Sequence, residues 1–418
     1  MFNLFSSKPN IKQLSAKKDV DDLIKALFYA NNKLESIRKH YGQGGDAYLN
    51  DIKKNYPESF KISIDAACAL ADIKNNRAIP YLIKAFTGGI PSQVPYLENL
   101  DDWREAHRQP YNTASLIMAQ FGEAAVDPII FELGKDNHFY SDWEVAALGH
   151  IGSLKAIDIL IKNARPLNHI MTTWALGKIG GGKEAVEFLL NTILENRDDS
   201  GIASSAFENK KFTYPPNDML ASVLEKELKD GIKHQNRYVI RGLSSALCGL
   251  NDPRGLEGLL KFRDYWEQDG SVIHSYLLFY LANFDDPRVK KILLSSLAKY
   301  TGRKYEPLTE EIETAALALA NLKDTSGLNI LLNMLENKDN DKENFYCPSN
   351  YYFSKKMTTS KTNAIVKALN SIKSAAKEPL LKQLGSSDPR LSQLANIILN
   401  NQPDIIDPLY FYQHQSHL

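Results

Sequence analysis

The residues most suggestive of chemistry are the glycine-rich run Gly177-Lys-Ile-Gly-Gly-Gly182-Lys183. It fits a phosphate-binding loop, in which glycine amides at a helix N-terminus hold phosphates and a lysine contacts them. The pattern fails at its last position, because Glu184 replaces the Ser or Thr that would ligate magnesium. The preceding residues 171–176, MTTWAL, align with WEVAAL at 143–148, which has a helical pattern and not that of a strand. We therefore predict a turn between two helices and no nucleotide site.

Histidine, the commonest metal ligand, is spread along the chain without ligand spacing. None of the histidines is followed by Glu, and none begins a His-x-x-x-His pair. No Gly-x-Ser-x-Gly nucleophile motif is present. His150 shares its place in the repeat with Lys178, so we interpret it as a variable turn residue and not as a ligand. These observations predict no catalytic, cofactor-binding or metal-binding residues, and therefore a protein that is not an enzyme.

The cysteines and the charge balance exclude several further classes of protein. Cys68, Cys248 and Cys347 have no short spacing, which excludes a disulfide framework or a C-x-x-C motif, and the first two lie in apolar helical runs as core residues. Lys plus Arg equals Asp plus Glu at 50 each, so no basic excess favours nucleic acid as a partner. No apolar run reaches membrane-spanning length, and the N-terminus lacks the pattern of a signal peptide. We expect a cytoplasmic protein that does not bind membranes.

An internal repeat predicts which helices and turns carry the residues discussed above. Each copy has an apolar helix that ends in A-L-x-x and a large apolar anchor, then a short turn and a second apolar helix. The copies cover residues 65–86, 113–133, 143–164, 172–193, 241–262, 275–297, 314–335 and 361–384. Their anchors are Ile73, Phe121, Ile151, Ile179, Leu250, Phe284, Leu322 and Ile372. Successive anchors are 28 to 71 residues apart, which indicates a unit of near 30 residues lengthened by insertions.

The pattern inside a copy predicts two antiparallel helices. Apolar residues recur at steps of three and four, as in Leu256, Leu259 and Leu260, and small residues precede each turn, where the helices must approach closely. Asp-Pro-Arg at 252–254, 286–288 and 388–390 offers an N-cap followed by Pro at the first helical position. Such pairs must stack to bury their apolar faces. We predict an all-α fold, a right-handed α-solenoid of about eight helix pairs.

The A-L-G-x-I-G and D-P-R signatures resemble HEAT-like repeats of the short, phycobilin-lyase type, over residues 60–400. The resemblance implies the solenoid fold, but that repeat serves scaffolds, lyase subunits, hydroxylases and DNA-repair proteins alike. The hydroxylases use paired His-Glu steps, which this chain lacks. A bilin lyase-like subunit and a DNA glycosylase-like nucleic-acid binder remain as alternatives. Trp143 and Trp174, at like positions in adjacent copies, either line a glycosylase-like face or pack in the core, and we favour the core.

The rhythm of the repeat also divides the chain. Residues 1–60 are expected to form an N-terminal helical cap, in which Asp19 begins an amphipathic helix; residues 61–400 form the solenoid, and 401–418 form a tail. Insertions interrupt the solenoid at residues 87–112, 195–237, 298–312 and 336–360. In the second of them, we predict a helix that starts at Asn217 or Asp218.

Aromatic residues in two insertions are the candidate partner-binding residues. Exposed aromatics bury a large area at low entropic cost, although the same residues could instead cover the solenoid's own apolar edge. The candidates are Trp103, Tyr346, Tyr351, Tyr352 and Phe353. We therefore predict a monomeric, non-enzymatic scaffold or adaptor that binds another protein through the concave face and insertion loops, with an enzyme or enzyme subunit as the alternative.

Overall fold

The computed structural model contains α-helices joined by short turns. It describes residues 8–29, 57–87, 113–135, 142–164, 169–195, 200–209, 211–229, 231–268, 275–298, 310–337 and 361–400. Within these ranges the backbone forms no β-strand, and the single β-bridge joins Gly181 to Phe212. The chain is an all-α solenoid protein. No helix in the described ranges combines the length and the apolar content needed to cross a bilayer.

The helices are short, as a solenoid of helix pairs requires. Those of the N-terminal half are α1 Ile11–Ala16, α2 Val20–Leu27, α3 Pro57–Ile73, α4 Ile79–Thr87, α5 Thr113–Ala119, α6 Val126–Leu133, α7 Asp142–Ile151, α8 Ile157–Lys162, α9 His169–Ile179 and α10 Lys183–Leu194. Those of the C-terminal half are α11 Ser200–Ala206, α12 Asn217–Lys229, α13 Arg237–Gly249, α14 Pro253–Gln268, α15 Ser275–Leu281, α16 Pro287–Leu297, α17 Glu310–Asn321, α18 Leu328–Glu336, α19 Lys361–Ser371, α20 Lys373–Leu384 and α21 Pro389–Leu399.

The chain folds into two compact units. The first comprises residues 1–189 together with 211–214. In it, the first helices of successive pairs, α3, α5, α7 and α9, each contact the next. The second helices lie beside them, and α4 contacts α6. The α1 and α2 helices pack on α3, and the side chain of Asp19 accepts a hydrogen bond from the amide of Asp22, which confirms the predicted cap.

The second unit comprises residues 190–210 and 215–418. Its first helices, α11, α13, α15, α17 and α19, also contact one another in series. The α12 helix begins at Asn217, where the sequence indicates a helix start, and packs on both α13 and α14. The segment 195–237, which the anchor spacing treats as an insertion, thus contributes a helix pair of its own. The apolar positions Leu256 and Leu259 are buried in the core cluster of this unit.

The turn after the first helix depends, in most copies, on one left-handed residue. In most copies the residue that follows the apolar anchor has φ between +53° and +78°, which closes the helix by a left-handed C-cap. These residues are Lys74, Gly122, Gly152, Gly180, Asn251 and Lys323. The second glycine of the A-L-G-x-I-G signature therefore serves the helix end, because glycine adopts this conformation without strain.

The first glycine of that signature allows close helix packing. A Cβ placed on Gly149 would lie 2.6 Å from the Trp174 ring of the next helix pair, and one on Gly255 would lie 2.6 Å from the backbone nitrogen of Cys248. These distances are shorter than real Cβ contacts, so the helices approach as closely as the small residues predict. Trp143 and Trp174 are each only 1% exposed, which confirms that both tryptophans belong to the core.

The second helix of a pair begins with a side-chain cap. Asp252 and Asp286 each accept a hydrogen bond from the amide two residues later, and Pro stands at the first helical position in both. The same two carboxylates bind the guanidinium of the arginine of the Asp-Pro-Arg motif. Asp388 caps α21 in the same way, through the amide two residues later. The Arg288 guanidinium lies 2.8 Å from Asp286 and reaches Glu257 on the preceding second helix at 2.7 Å.

This reach across pairs recurs, and we call the set the inter-repeat ladder. In each rung a basic residue just before or at the start of a second helix binds a carboxylate of the preceding pair. The rungs are Arg77–Asp21 at 2.9 Å, Lys155–Asp127 at 3.4 Å, Arg254–Asp218 at 2.9 Å and Arg288–Glu257 at 2.7 Å. Because the contact repeats at one place in the motif, it keeps neighbouring second helices in one register.

Asp252 is the most enclosed carboxylate of this network. Hydrogen bonds from the Arg254 guanidinium lower its pKa from 3.8 to about 2; partial burial opposes the shift, and Asn217 adds a further hydrogen bond at 2.9 Å. Because the folded-state pKa lies below the ordinary value, the ionised carboxylate stabilises the fold above about pH 4. That contribution is lost as the pH falls from about 4 to 2.

We predict that Asp252→Asn lowers the free energy of unfolding by about 1–2 kcal/mol at pH 7, because a charge-assisted hydrogen bond becomes a neutral one. The deficit should shrink between pH 4 and pH 2, as wild-type Asp252 takes up its proton. Urea denaturation at several pH values measures it, with Asp264→Asn, an exposed carboxylate of α14, as the control. A deficit that stays constant down to pH 2 would contradict the assignment.

Candidate functional site

The residues that the sequence proposes for partner binding lie outside the part of the chain that the structure describes. This holds for Trp103, Tyr346, Tyr351, Tyr352 and Phe353, which remain predictions. Two features of the described residues bear on function here: the glycine-rich turn, and a groove between two second helices.

The glycine-rich turn joins α9 to α10, as the sequence predicts. Gly180 has φ of +76° as the C-cap of α9, and Gly181 has φ of +111°. Residues 211–214, which we call the strap, lie against this turn within the first unit. A Cβ on Gly180 would lie 2.4 Å from the Lys211 carbonyl oxygen, so only glycine leaves room for the strap.

The backbone groups of the turn bind the strap. The Gly181 amide donates to the Lys211 carbonyl at 3.4 Å. The Gly181 carbonyl accepts from the Thr213 amide at 2.8 Å and from the Thr213 hydroxyl at 3.1 Å. The lysine of the motif, Lys183, lies 3.2 Å from Glu187, and this hydrogen bond raises the Lys183 pKa. This turn follows a helix, and the amide of Gly181 already donates to a protein carbonyl. A phosphate loop instead follows a strand, and its backbone amides are free to bind phosphate.

His150 and Lys178 occupy equivalent places, but in the last turn of a helix and not in the connecting turn. The His150 ring stacks edge-on against Trp174 with centroids 5.0 Å apart, and the Lys178 ammonium lies 5.9 Å from the same ring. Both side chains therefore pack on the tryptophan of the core. A basic residue in the last turn also interacts favourably with the helix dipole.

A groove of about 520 Å³ runs between α12 and α14 in the second unit. Its floor is apolar, because Leu224 and Ala221 are buried there. Its charged lining residues are Asp218, Glu225, Lys229, Arg254, Glu257 and Lys261. The volume is within the range of ligand sites, but the rim carries more charge than a typical small-molecule pocket.

The two ends of the groove differ in their electrostatics. At the end where both helices begin, the rungs Arg254–Asp218 and Arg288–Glu257 neutralise the charges. At the other end, Glu225, Lys229 and Lys261 are exposed and have no ion-pair partner among the described residues. The groove therefore offers free charges of both signs beside an apolar floor. Hydrogen bonds from the Arg254 guanidinium lower the pKa of Asp252 to about 2, so this carboxylate is ionised at pH 7.

The described residues include no group of three or more His, Cys, Asp or Glu side chains arranged to hold a metal ion. Cys248 is buried, as the sequence indicates, and burial raises the pKa of its thiol. Cys68 is half-buried, and burial likewise raises its thiol pKa. Neither thiol has the lowered pKa of an activated nucleophile.

Sequence reasoning did not find the groove because it treated 195–237 as an insertion. A signal was present: residues 200–206, SGIASSA, have the small-residue composition that precedes the turns of other copies. Recognising a first helix there would have made the helix that starts at Asn217 its partner. The groove itself depends on how far α12 and α14 stand apart, which no sequence pattern states.

Comparison with known proteins supports the repeat. A family model described as PBS lyase HEAT-like repeat matches residues 64–88, which span most of α3, the turn and α4. No curated protein matches the chain. Among solved structures the chain is similar to an engineered protein at 18% identity, with a TM-score of 0.28 over 92% of this chain and 98% of that one. A likeness at this score carries no argument about function.

We predict that Gly180→Ala destabilises the protein more than Gly152→Ala, although both glycines are left-handed C-caps. A Cβ on Gly152 meets nothing within 4 Å, so its cost is the backbone strain of about 1–2 kcal/mol. At Gly180 the collision with the strap should bring the total to about 3 kcal/mol or more. Chemical denaturation measures both variants, and limited proteolysis should show faster cleavage in the strap of Gly180→Ala alone. Equal costs would mean that the strap does not press on this turn.

The occupied turn also predicts the outcome of a nucleotide titration. Because Gly181 and Lys183 already have protein partners, we expect no Lys183-dependent binding of ATP with magnesium in isothermal titration calorimetry. Micromolar binding by the wild type that disappears in Lys183→Ala would refute this interpretation.

Proposed function

We propose that this HEAT-like repeat protein is a scaffold or adaptor that binds another protein and catalyses no reaction itself. Stacked helix pairs present long rows of side chains, which suit recognition of an extended or large partner. We propose the groove between α12 and α14 as a principal docking surface. The aromatics of the insertions, Tyr351 and Tyr352 among them, are proposed as additional anchors.

The observation that carries this proposal is the free end of the groove. Glu225, Lys229 and Lys261 are exposed and unpaired in the described part of the chain, whereas the charges at the other end are neutralised within the fold. Unpaired charges around an apolar floor favour a polypeptide partner, whose own charges and side chains can complement both. The balance of 50 basic and 50 acidic residues supports a protein partner over a nucleic acid.

The alternative is a subunit of a HEAT-like enzyme, because the matching family model is named after a lyase. A lyase-type subunit would carry a ligand together with its protein partner. A glycosylase-like nucleic-acid binder is less favoured, because Trp143 and Trp174 are buried and do not line a surface. We expect the protein to act in the cytoplasm.

We predict that reversing two groove charges reduces partner capture at least ten-fold. The variant is Lys229→Glu with Lys261→Glu, which should repel the carboxylates of a bound partner. The measurement is affinity capture from the native host followed by quantitative mass spectrometry. The matched control is Lys226→Glu with Lys291→Glu, since Lys226 is an exposed lysine of α12 that does not line the groove.

Both pairs of changes lie on exposed positions, so circular dichroism melts should agree with the wild type within a few degrees. Equal losses in the groove variant and in the control would argue against a specific site. A captured coloured ligand or retained nucleic acid, in place of a protein, would favour the alternative function.

A further inference from the structure

Several apolar side chains of the first unit are exposed, and Phe131 is exposed the most. Phe131 on α6 is 71% exposed, the largest exposed fraction of any large hydrophobic residue in the described ranges. The Lys135 ammonium lies 5.4 Å from the centre of its ring and also pairs with Glu132. An isolated exposed phenylalanine is unremarkable by itself, so its neighbours decide whether it has a function.

The repeat identifies those neighbours. Aligning the second helices of successive copies places Lys84 of α4, Phe131 of α6 and Lys162 of α8 at the same position. The α4 and α6 helices contact each other, and the rung Lys155–Asp127 joins the start of α8 to α6. The three side chains therefore form a row across adjacent helices, which we call the Phe131 row.

The charges of this row are available to a partner. Lys84 and Lys162 are both exposed and have no ion-pair partner in the described residues. One helical turn earlier the equivalent positions are Pro80, Asp127 and Asp158, and Asp127 is already paired with Lys155. The row itself presents an aromatic ring between two lysines that have no ion-pair partner in the described residues, which favours a ligand that carries both apolar and acidic groups.

We propose that the Phe131 row docks an extended segment of a partner protein with the pattern acidic-x-x-apolar-x-x-acidic. Packed helices stand about 8–10 Å apart. A segment in the extended polyproline II conformation covers that distance in about three residues, because each residue advances about 3.1 Å, and its three residues per turn keep side chains three apart on the same face. A segment that crosses the helices therefore places one carboxylate on each lysine when its apolar residue lies on Phe131. This inference rests on the proposed function, since it names the chemistry of a protein partner.

The test uses the full chain and a synthetic peptide. The probe is a fluorescein-labelled peptide in which Glu, Leu and Glu stand three residues apart with Ser and Gly between them, and binding is followed by fluorescence anisotropy. We expect saturable binding to the wild type, at least ten-fold weaker binding to Phe131→Ser and to Lys84→Glu with Lys162→Glu, and weaker binding as salt increases. The matched control is Leu154→Ser, which removes another exposed apolar residue of the same unit outside the row.

Several results would overturn the proposal. They include no binding of the acidic peptide, equal binding of a peptide with Lys in place of both Glu, and equal binding by Phe131→Ser. Displacement of the peptide by single-stranded DNA at lower concentration would also overturn it, in favour of nucleic acid. The groove variant Lys229→Glu with Lys261→Glu should bind this peptide normally, so a failure of the groove and a failure of the row are distinguished.

Discussion

Each helix pair of this protein has an apolar face that only another helix pair can cover. This constraint explains why residues at the contacts are small: Gly149 leaves space for the Trp174 ring, and Gly255 leaves space for the backbone at Cys248. It also accounts for the recurring turn, in which a left-handed residue follows the anchor in most copies and ends the first helix. The stability of every pair consequently depends on its neighbours, as in other solenoids.

The inter-repeat ladder fixes the register of neighbouring helix pairs that pack through these apolar faces. Its rungs are largely exposed, and an exposed ion pair contributes about 0.2–1 kcal/mol, so the rungs are minor sources of stability. Apolar faces alone, however, tolerate sliding of one helix along another. A basic residue that meets a carboxylate at one place in each copy, as Arg288 meets Glu257, removes that freedom. The order of side chains along the second helices follows from this register.

Surfaces with a possible function lie where the packing of the helix pairs departs from the regular repeat. The α12 and α14 helices leave a groove whose rungs occupy one end, so that Glu225 and Lys261 remain for a partner at the other. The glycine-rich turn also departs from the regular repeat, but there the surface is covered and not open. There Gly180 leaves room for the strap, whose residues bind the backbone groups of Gly181 that a ligand would otherwise contact. The equivalent turn at Gly152 is open, because a Cβ there would meet nothing within 4 Å, and motif matching cannot distinguish the two turns.

The sequence by itself determined the helix pairs, their caps and their buried residues. Local physics decides these features: apolar spacing marks the helix faces, Asp286 before Pro287 marks a helix start, and glycine after an anchor marks a helix end. Only the tertiary structure decided that 195–237 supplies a further pair, that the strap lies on Gly181, and that Phe131 is exposed beside free lysines. These features depend on contacts between residues distant in sequence. Such contacts produce no periodic pattern in the sequence, because many different residues of suitable size and charge can form them.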